Sequence, residues 1–220
     1  MKPTFPFNPE ARTDHLFMPT DHMEEVYTSN NPFVKLVHVG RLDAIVRQIP
    51  SGGRLKILDA GCGEGHLLEK LYQNKKDYQY YGADITEAAL ENARKRCPWA
   101  QFRKANLSNT GFEEGFFDGV ICTEVLEHIY EYQAVLNELK RILKKDGSLI
   151  VTFPNECLWT ISRFLLGRRP VKVPDHVNSF NPSSMRNAVG LPVTKHVNLP
   201  FGLPFALSLN GLTQFKKEGS

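Results

Sequence analysis

The chain has 220 residues, 41% hydrophobic and 23% charged, enough for one domain with a substantial core. Lys and Arg number 27 against 24 Asp and Glu, and a formal charge of +3 is too slight to call for a nucleic-acid partner. No N-terminal apolar run has the form of a signal peptide, no stretch of about 18 apolar residues could span a membrane, and Cys62, Cys97, Cys122 and Cys157 make no CxxC pair. Reduced thiols in a cytoplasmic protein are therefore expected.

Residues 1–20 mix prolines and aromatics without periodicity and read as an irregular arm. A helix is expected from about Asp21 through Tyr27, broken at Asn30-Asn31-Pro32, where proline suits the first turn of a second helix. Phe33, Leu36, Val37, Val39, Leu42, Ile45 and Val46 give that helix an apolar face up to Ile49. Pro50-Ser51-Gly52-Gly53 turns the chain into a first strand.

Ile57-Leu58-Asp59-Ala60-Gly61-Cys62-Gly63-Glu64-Gly65-His66 reads as a buried strand, a glycine turn and a helix start. A dinucleotide loop spaces its glycines G-x-G-x-x-G, the third allowing close helix packing and the helix N-terminus taking pyrophosphate. Here the glycines run G-x-G-x-G, and His66 stands where the third should be. Asp59 and Glu64 flank the turn, where they would repel a pyrophosphate and suit a ligand with positive charge. At this stretch the sequence resembles the class I S-adenosylmethionine (SAM)-dependent methyltransferases, whose first motif has this form. SAM carries a sulfonium and an ammonium and no phosphate. The resemblance implies SAM as cofactor, S-adenosylhomocysteine (SAH) as product, and Asp59, Gly61, Cys62 and Gly63 among the cofactor residues. N-terminal helices form a lid over SAM in many of these enzymes. Tyr27 resembles their lid tyrosine; the alternative is a half-buried tyrosine on a surface helix.

A second strand is expected over 78–83, ending at Asp84, which follows Gly63 by 21 residues. That is the spacing of an acid that bonds ribose hydroxyls, and Ile85 lies beside it. Thr86 is placed to cap a helix over 87–96, which Cys97-Pro98 ends. A third strand over 100–104 leads to Asn106-Leu107, by resemblance the adenine edge; Asn106 stands where the family often has Asp, and its oxygen could accept from the adenine amino group. The fourth strand, 117–123, is apolar enough for burial on both faces. A helix with Val135, Leu136, Leu139, Ile142 and Leu143 on one side follows, stopped by Lys144-Lys145-Asp146-Gly147. A fifth strand is expected over 148–153, a short apolar helix over 158–166, a capped helix from 182 or 183 to 189, a sixth strand over 191–199 and a last within 205–215. Strands alternating with helices in this rhythm make an α/β, Rossmann-like, seven-stranded, mostly parallel, doubly wound sheet with an antiparallel C-terminal hairpin. One domain is expected, with 1–50 as arm and lid helices, 51–220 as the SAM-binding part, and a cap insertion at about 155–182.

Gly61–Gly65, Asp84, Asn106–Leu107 and Thr123–His128 all fall at strand carboxyl ends, where such sheets bind ligands. Thr123, Glu124 and Val125 line the SAM pocket by resemblance. Methyl transfer requires alignment, exclusion of water and, for a phenol of pKa near 10, a base or a metal. If the turn after the fourth strand is helical, Glu124, Glu127 and His128 share a face, and His176 could join them. His128, His176 and Glu127 are thus the candidate catalytic residues. With Glu124 they could also bind a divalent cation of the Mn²⁺, Fe²⁺ or Zn²⁺ kind, or serve only to position other groups. The arrangement resembles the ubiquinone-biosynthesis O-methyltransferases, which carry a Glu-x-x-Glu-His run, although their Gly-Thr-His is Pro-Asp-His here. It also resembles the small-RNA 2′-O-methyltransferases, whose RNA-binding extensions have no counterpart in this length. The expected function is methyl transfer from SAM to a small-molecule acceptor, with O-methylation first. Alternatives are metal-assisted methylation of a quinone- or lipid-like substrate, a non-catalytic SAM-binding protein, an NAD oxidoreductase and an RNA methyltransferase. The apolar 158–166 helix with Arg168 and Arg169 reads as a substrate cap in preference to a membrane contact.

Overall fold

Side chains alternate strictly along the central strands, so both faces of the sheet must be covered. Leu58, Ala60, Val120, Cys122, Leu149 and Val151 enter one buried cluster, while Ile57, Ile121 and Ile150 enter the other. In a computed structural model, which describes residues 27, 30–49, 52–165 and 176–219, these strands form a seven-stranded sheet of order β3-β2-β1-β4-β5-β7-β6. They are β1 (Lys56–Ala60), β2 (Gln79–Asp84), β3 (Gln101–Lys104), β4 (Phe117–Thr123), β5 (Leu143–Pro154), β6 (Val193–Leu199) and β7 (Asn210–Lys216). The first five are parallel to one another, and β7 runs antiparallel between β5 and β6. The expected sheet, with its antiparallel ending, is the one observed.

Helices α1 (Pro32–Val46), α2 (His66–Asn74) and α3 (Glu87–Arg96) cover one face through Leu42, Ile45, Leu67, Leu68, Leu71 and Leu90. Helices α4 (Tyr132–Ile142) and α6 (Pro182–Val189) cover the other through Val135, Leu136, Leu139, Met185 and Val189. Helix α5 (Glu156–Leu165) follows β5. At the start of α6, Asn181 accepts from the amides of Ser183 and Ser184, and Ser184 returns a bond to the Asn181 amide. No described helix is long and apolar enough to cross a membrane. The arm over 1–20, the helix expected near Asp21 and the Arg168-Arg169 pair lie outside the described residues.

Three local expectations change. Helix α1 ends at Val46, three residues before Ile49. Thr86 occupies the cap position of α3 but makes no side-chain cap bond; its amide instead donates to Asp84 Oδ1 at 2.9 Å. Lys144-Lys145-Asp146-Gly147 is not a helix stop. Helix α4 ends at Ile142, Leu143 is already extended, and β5 begins there with an irregular register against β4. Asp146, not Gly147, takes the left-handed conformation, at φ 61°. Gly147 is needed for space, since a Cβ there would lie 2.8 Å from Leu143 Cγ and 2.9 Å from the Lys144 carbonyl oxygen.

Candidate functional site

Parallel topology brings the carboxyl ends of β1, β2, β4 and β5 to one edge. Because β7 is antiparallel, its first residue, Asn210, arrives there too, opposite Pro154 and Leu199. Beyond β1 the chain turns through Gly61 at φ 82° and Gly65 at φ 84°, left-handed conformations that favour glycine. A Cβ on Gly61 would collide with Val125 Cγ2. A Cβ on Gly65 would press on Ala93 Cβ at 3.3 Å and Cys97 Sγ at 3.4 Å. Gly65 thus lets α2 approach α3, the packing role of the third glycine in a dinucleotide loop.

The carboxylate of Asp84 ties this turn down. Oδ2 accepts from the Gly63 amide and Oδ1 from the Thr86 amide, each at 2.9 Å. Each oxygen keeps a further lone pair. Asp59, at the end of β1, is 1% exposed, and its Oδ1 has no hydrogen-bond partner among the described residues. Burial, and then the nearby Asp84, push its carboxyl up to about 8. Burial likewise raises the Cys62 thiol, so Cys62 is a protonated, inert wall of the turn. Glu64 does not share the role of Asp59. Its Oε1 accepts from Asn92 Nδ2 at 2.9 Å and its other oxygen lies 3.5 Å from His66 Nε2, bracing α2 against α3.

Ile85 is half-buried and Leu107 buried beside the crevice. Asn106 is exposed, and the oxygen expected to meet adenine accepts from the Ser108 amide at 3.0 Å and hydroxyl at 2.9 Å, a local turn typical of Asn. Tyr27 does reach the glycine turn: its ring lies over His66, with centroids 4.5 Å apart.

After β4 the sequence expectation fails in one respect. Glu124 has φ 52°, so no α-helical turn begins there; Leu126–His128 form a single 3-10 turn. Glu124 therefore leaves the acid–imidazole group. Its Oε1 accepts from Thr152 Oγ1 at 2.9 Å and its Oε2 from Asn210 Nδ2 at 2.8 Å, and Arg41 Nη1 pairs with it at 3.0 Å. Thr152 in turn meets Thr123 Oγ1 at 2.6 Å. Three elements thus hold a non-glycine residue in a disfavoured backbone region, a pattern concentrated at functional sites. Arg41, missed in the sequence, is 4% exposed and donates from Nη2 to Tyr27 OH at 3.4 Å. Burial alone would lower its pKa, but Glu124 and Tyr27 hold it above the ordinary value. An arginine inside an apolar helical pattern was the available signal.

Glu127, His128 and His176 do come together, with one ligand atom from each lying within 4.8 Å of the others. The His128 and His176 rings meet edge to face at 4.7 Å. Glu127 is 1% exposed, neither of its carboxyl oxygens has a hydrogen-bond partner among the described residues, and burial, then Glu124, raise its pKa well above the usual range. The 176–178 segment is pinned to the 3-10 turn. Val177 and Asn178 amides donate to the Glu127 carbonyl at 2.8 and 3.0 Å, and Asn178 Nδ2 donates to the carbonyls of Leu126 and Ile129 at 3.1 and 2.6 Å. Glu156 Oε1, also missed in the sequence, hydrogen-bonds His176 Nδ1.

The crevice fits SAM on observations of its own: a buried carboxyl with an oxygen unpartnered among the described residues for an ammonium, and a carboxylate with spare lone pairs for hydroxyls. Comparison with known proteins agrees. A model of the family described as "Methyltransferase domain" matches residues 58–151. The ubiquinone biosynthesis O-methyltransferase of Actinobacillus pleuropneumoniae is 28% identical over 143 residues, 61% of this chain and 60% of that one. The ubiquinone/menaquinone biosynthesis C-methyltransferase of Campylobacter jejuni is 31% identical over 102 residues, 44% of this chain and 43% of that one. The chain spans about half the length of the curated relatives it matches. Among solved structures, magnesium protoporphyrin IX methyltransferase from Synechocystis, with bound SAH, superposes with a TM-score of 0.66 at 22% identity, covering 90% of this chain and 93% of that one. Residues 58–151 are a methyltransferase domain, and the chain is built on the class I SAM-dependent methyltransferase fold.

Proposed function

We propose that the protein is an enzyme that transfers a methyl group from SAM to a hydroxyl of a small-molecule acceptor. The observation that carries the cofactor half is the buried Asp59 carboxyl at the glycine turn, whose Oδ1 has no partner among the described residues. SAM supplies a methyl group activated on a sulfonium. Asp59 binds the ammonium of its amino-acid end, and Arg41 with Tyr27 binds the carboxylate there. Asp84 accepts from the ribose hydroxyls. Leu107, Ile85 and the backbone of Asn106 border the adenine. Gly61, Cys62, Gly63, Thr123, Glu124 and Val125 form the remaining wall. Residues 1–50 act as arm and lid, and 155–182 as the cap over the acceptor.

His128 or His176 takes the acceptor hydroxyl proton, helped by Glu127, while the buried surroundings exclude water. A second reading rests on the two unpartnered Glu127 oxygens beside two imidazoles: Glu127, His128 and His176 would hold a divalent cation that acidifies the hydroxyl. Glu124 has no part in it. Incubation with methyl-labelled SAM and a panel of phenols, carboxylic acids and amines tests the proposal, and label on a phenol oxygen is the expected result. Label on nitrogen or carbon alone overturns O-methylation. SAH binding with no turnover on any acceptor favours a non-catalytic SAM-binding protein, and NADH binding in place of SAH favours an oxidoreductase. Exhaustive EDTA treatment leaves turnover unchanged on the first reading; loss restored by Mn²⁺ or Zn²⁺ selects the second.

A further inference from the structure

We infer that Glu156 is a positioning residue that fixes the tautomer of His176, placing the proton on Nδ1 and leaving Nε2 unprotonated on the ring that packs against His128. The inference rests on the reading above only for its catalytic consequence. Its geometry is independent.

Three observations carry it. Glu156 Oε1 hydrogen-bonds His176 Nδ1, and a carboxylate can only accept, so the hydrogen sits on the imidazole. The carboxyl is firmly placed. Asn155, one residue earlier, anchors the start of α5 by donating from Nδ2 to the Phe205 and Ser208 carbonyls at 2.7 and 3.0 Å. The Trp159 amide bonds back to the Asn155 carbonyl at 3.0 Å. The backbone beside His176 is held separately, by Val177 and Asn178 on the 126–129 turn. Glu156 is therefore not needed to bring His176 to His128. What remains for it is the rotation and protonation of the ring. An imidazole acts as a base or as a metal ligand through its unprotonated nitrogen, and which nitrogen that is depends on the bond made by the other. Both readings of the site need this device. Glu156 Oε2 is buried without a partner among the described residues, which leaves the carboxyl committed to His176.

The test is the imidazole ¹⁵N spectrum of the full chain at pH 8, above the ordinary histidine range, with His176→Asn used to identify the His176 signals. In the wild type, Nδ1 is expected at the protonated position and Nε2 at the bare one. Glu156→Gln retains an accepting oxygen and keeps that pattern. Glu156→Leu moves His176 toward the Nε2-protonated form. With a working acceptor, Glu156→Leu lowers kcat by on the order of 10–100-fold and leaves SAH affinity unchanged, whereas Glu156→Gln recovers most of the rate. A wild type protonated on Nε2, or a tautomer indifferent to Glu156→Leu in a protein with a wild-type circular dichroism spectrum, overturns the inference. An absence of turnover in the wild type counts against the methyl-transfer reading, and the ¹⁵N result still decides the role of Glu156.

Discussion

Replacing Asp59 by Asn should stabilise the protein at alkaline pH while weakening its hold on SAH. Asp59 is 1% exposed, and its carboxyl is displaced from 3.8 to about 8 by burial and by Asp84. Its folded value lies above its unfolded one, so the native state keeps the proton longer. Stability is then complete below about pH 4 and declines until about pH 8. Each pH unit in that window is worth about 1.4 kcal/mol, so ionising Asp59 takes roughly 4 kcal/mol from the fold between pH 5 and pH 9. Asn has nearly the same shape and does not ionise. Its melting temperature relative to wild type should therefore rise between pH 5 and pH 9 by on the order of 10 °C, at about 2–4 °C per kcal/mol for a chain of this size. Other titrating groups, Glu127 among them, are common to both proteins and cancel in the difference. The lost charge-assisted contact with the ammonium should weaken SAH by roughly 10–100-fold. Thermal melts across pH 5–9, with calorimetric SAH titration at pH 7.5, measure both. Parallel pH profiles would refute the burial argument, and unchanged SAH affinity would refute the assignment of Asp59 to the ammonium.

Arg41→Met leaves a half-buried Glu124 without its cation and should cost about 1–3 kcal/mol in urea unfolding; a loss under 0.5 kcal/mol, on the order of a neutral surface change, would show that Asn210 and Thr152 suffice for Glu124. Gly61→Ala meets both a left-handed backbone, worth about 1–2 kcal/mol, and the Val125 side chain. It should weaken SAH binding, and Gly61→Ala with Val125→Ala should recover part of both losses in a double-mutant cycle, whereas simple additivity would deny the collision. Asn178→Ala removes the two side-chain bonds to the 126–129 turn and leaves the backbone ones. It should destabilise by about 1–3 kcal/mol and lower kcat more than SAH affinity, and a change in SAH affinity alone would place Asn178 in the cofactor site.

Most of the sheet could be read along the chain, because hydrophobic runs and turn residues are local signals. The first four strands were placed to within about two residues, β5 starts five residues before the expected 148, and Pro182–Val189 was located by its cap and proline. Lys144–Gly147 was misjudged because cations followed by glycine mark a helix end only if the helix still continues there. Here pairing of Leu143 with Phe117 draws the chain into β5 first. Glu124 was misjudged for a related reason. Its i, i+3, i+4 spacing with Glu127 and His128 presupposes a helix, and the partners that hold it left-handed come from α1, β5 and β7.

The sequence alone determined the architecture and the kind of ligand, since a glycine turn flanked by acids and an acid 21 residues on from Gly63 are properties of short segments. Tertiary structure decided which acid does what. Among the described residues it left Asp59 Oδ1 and both Glu127 oxygens without partners, gave Glu64 to Asn92 and Glu124 to Arg41, and set Glu156 against His176. Carboxylates of identical chemistry are distinguished by their burial and by neighbours from distant segments, and those contacts exist only once the sheet has assembled.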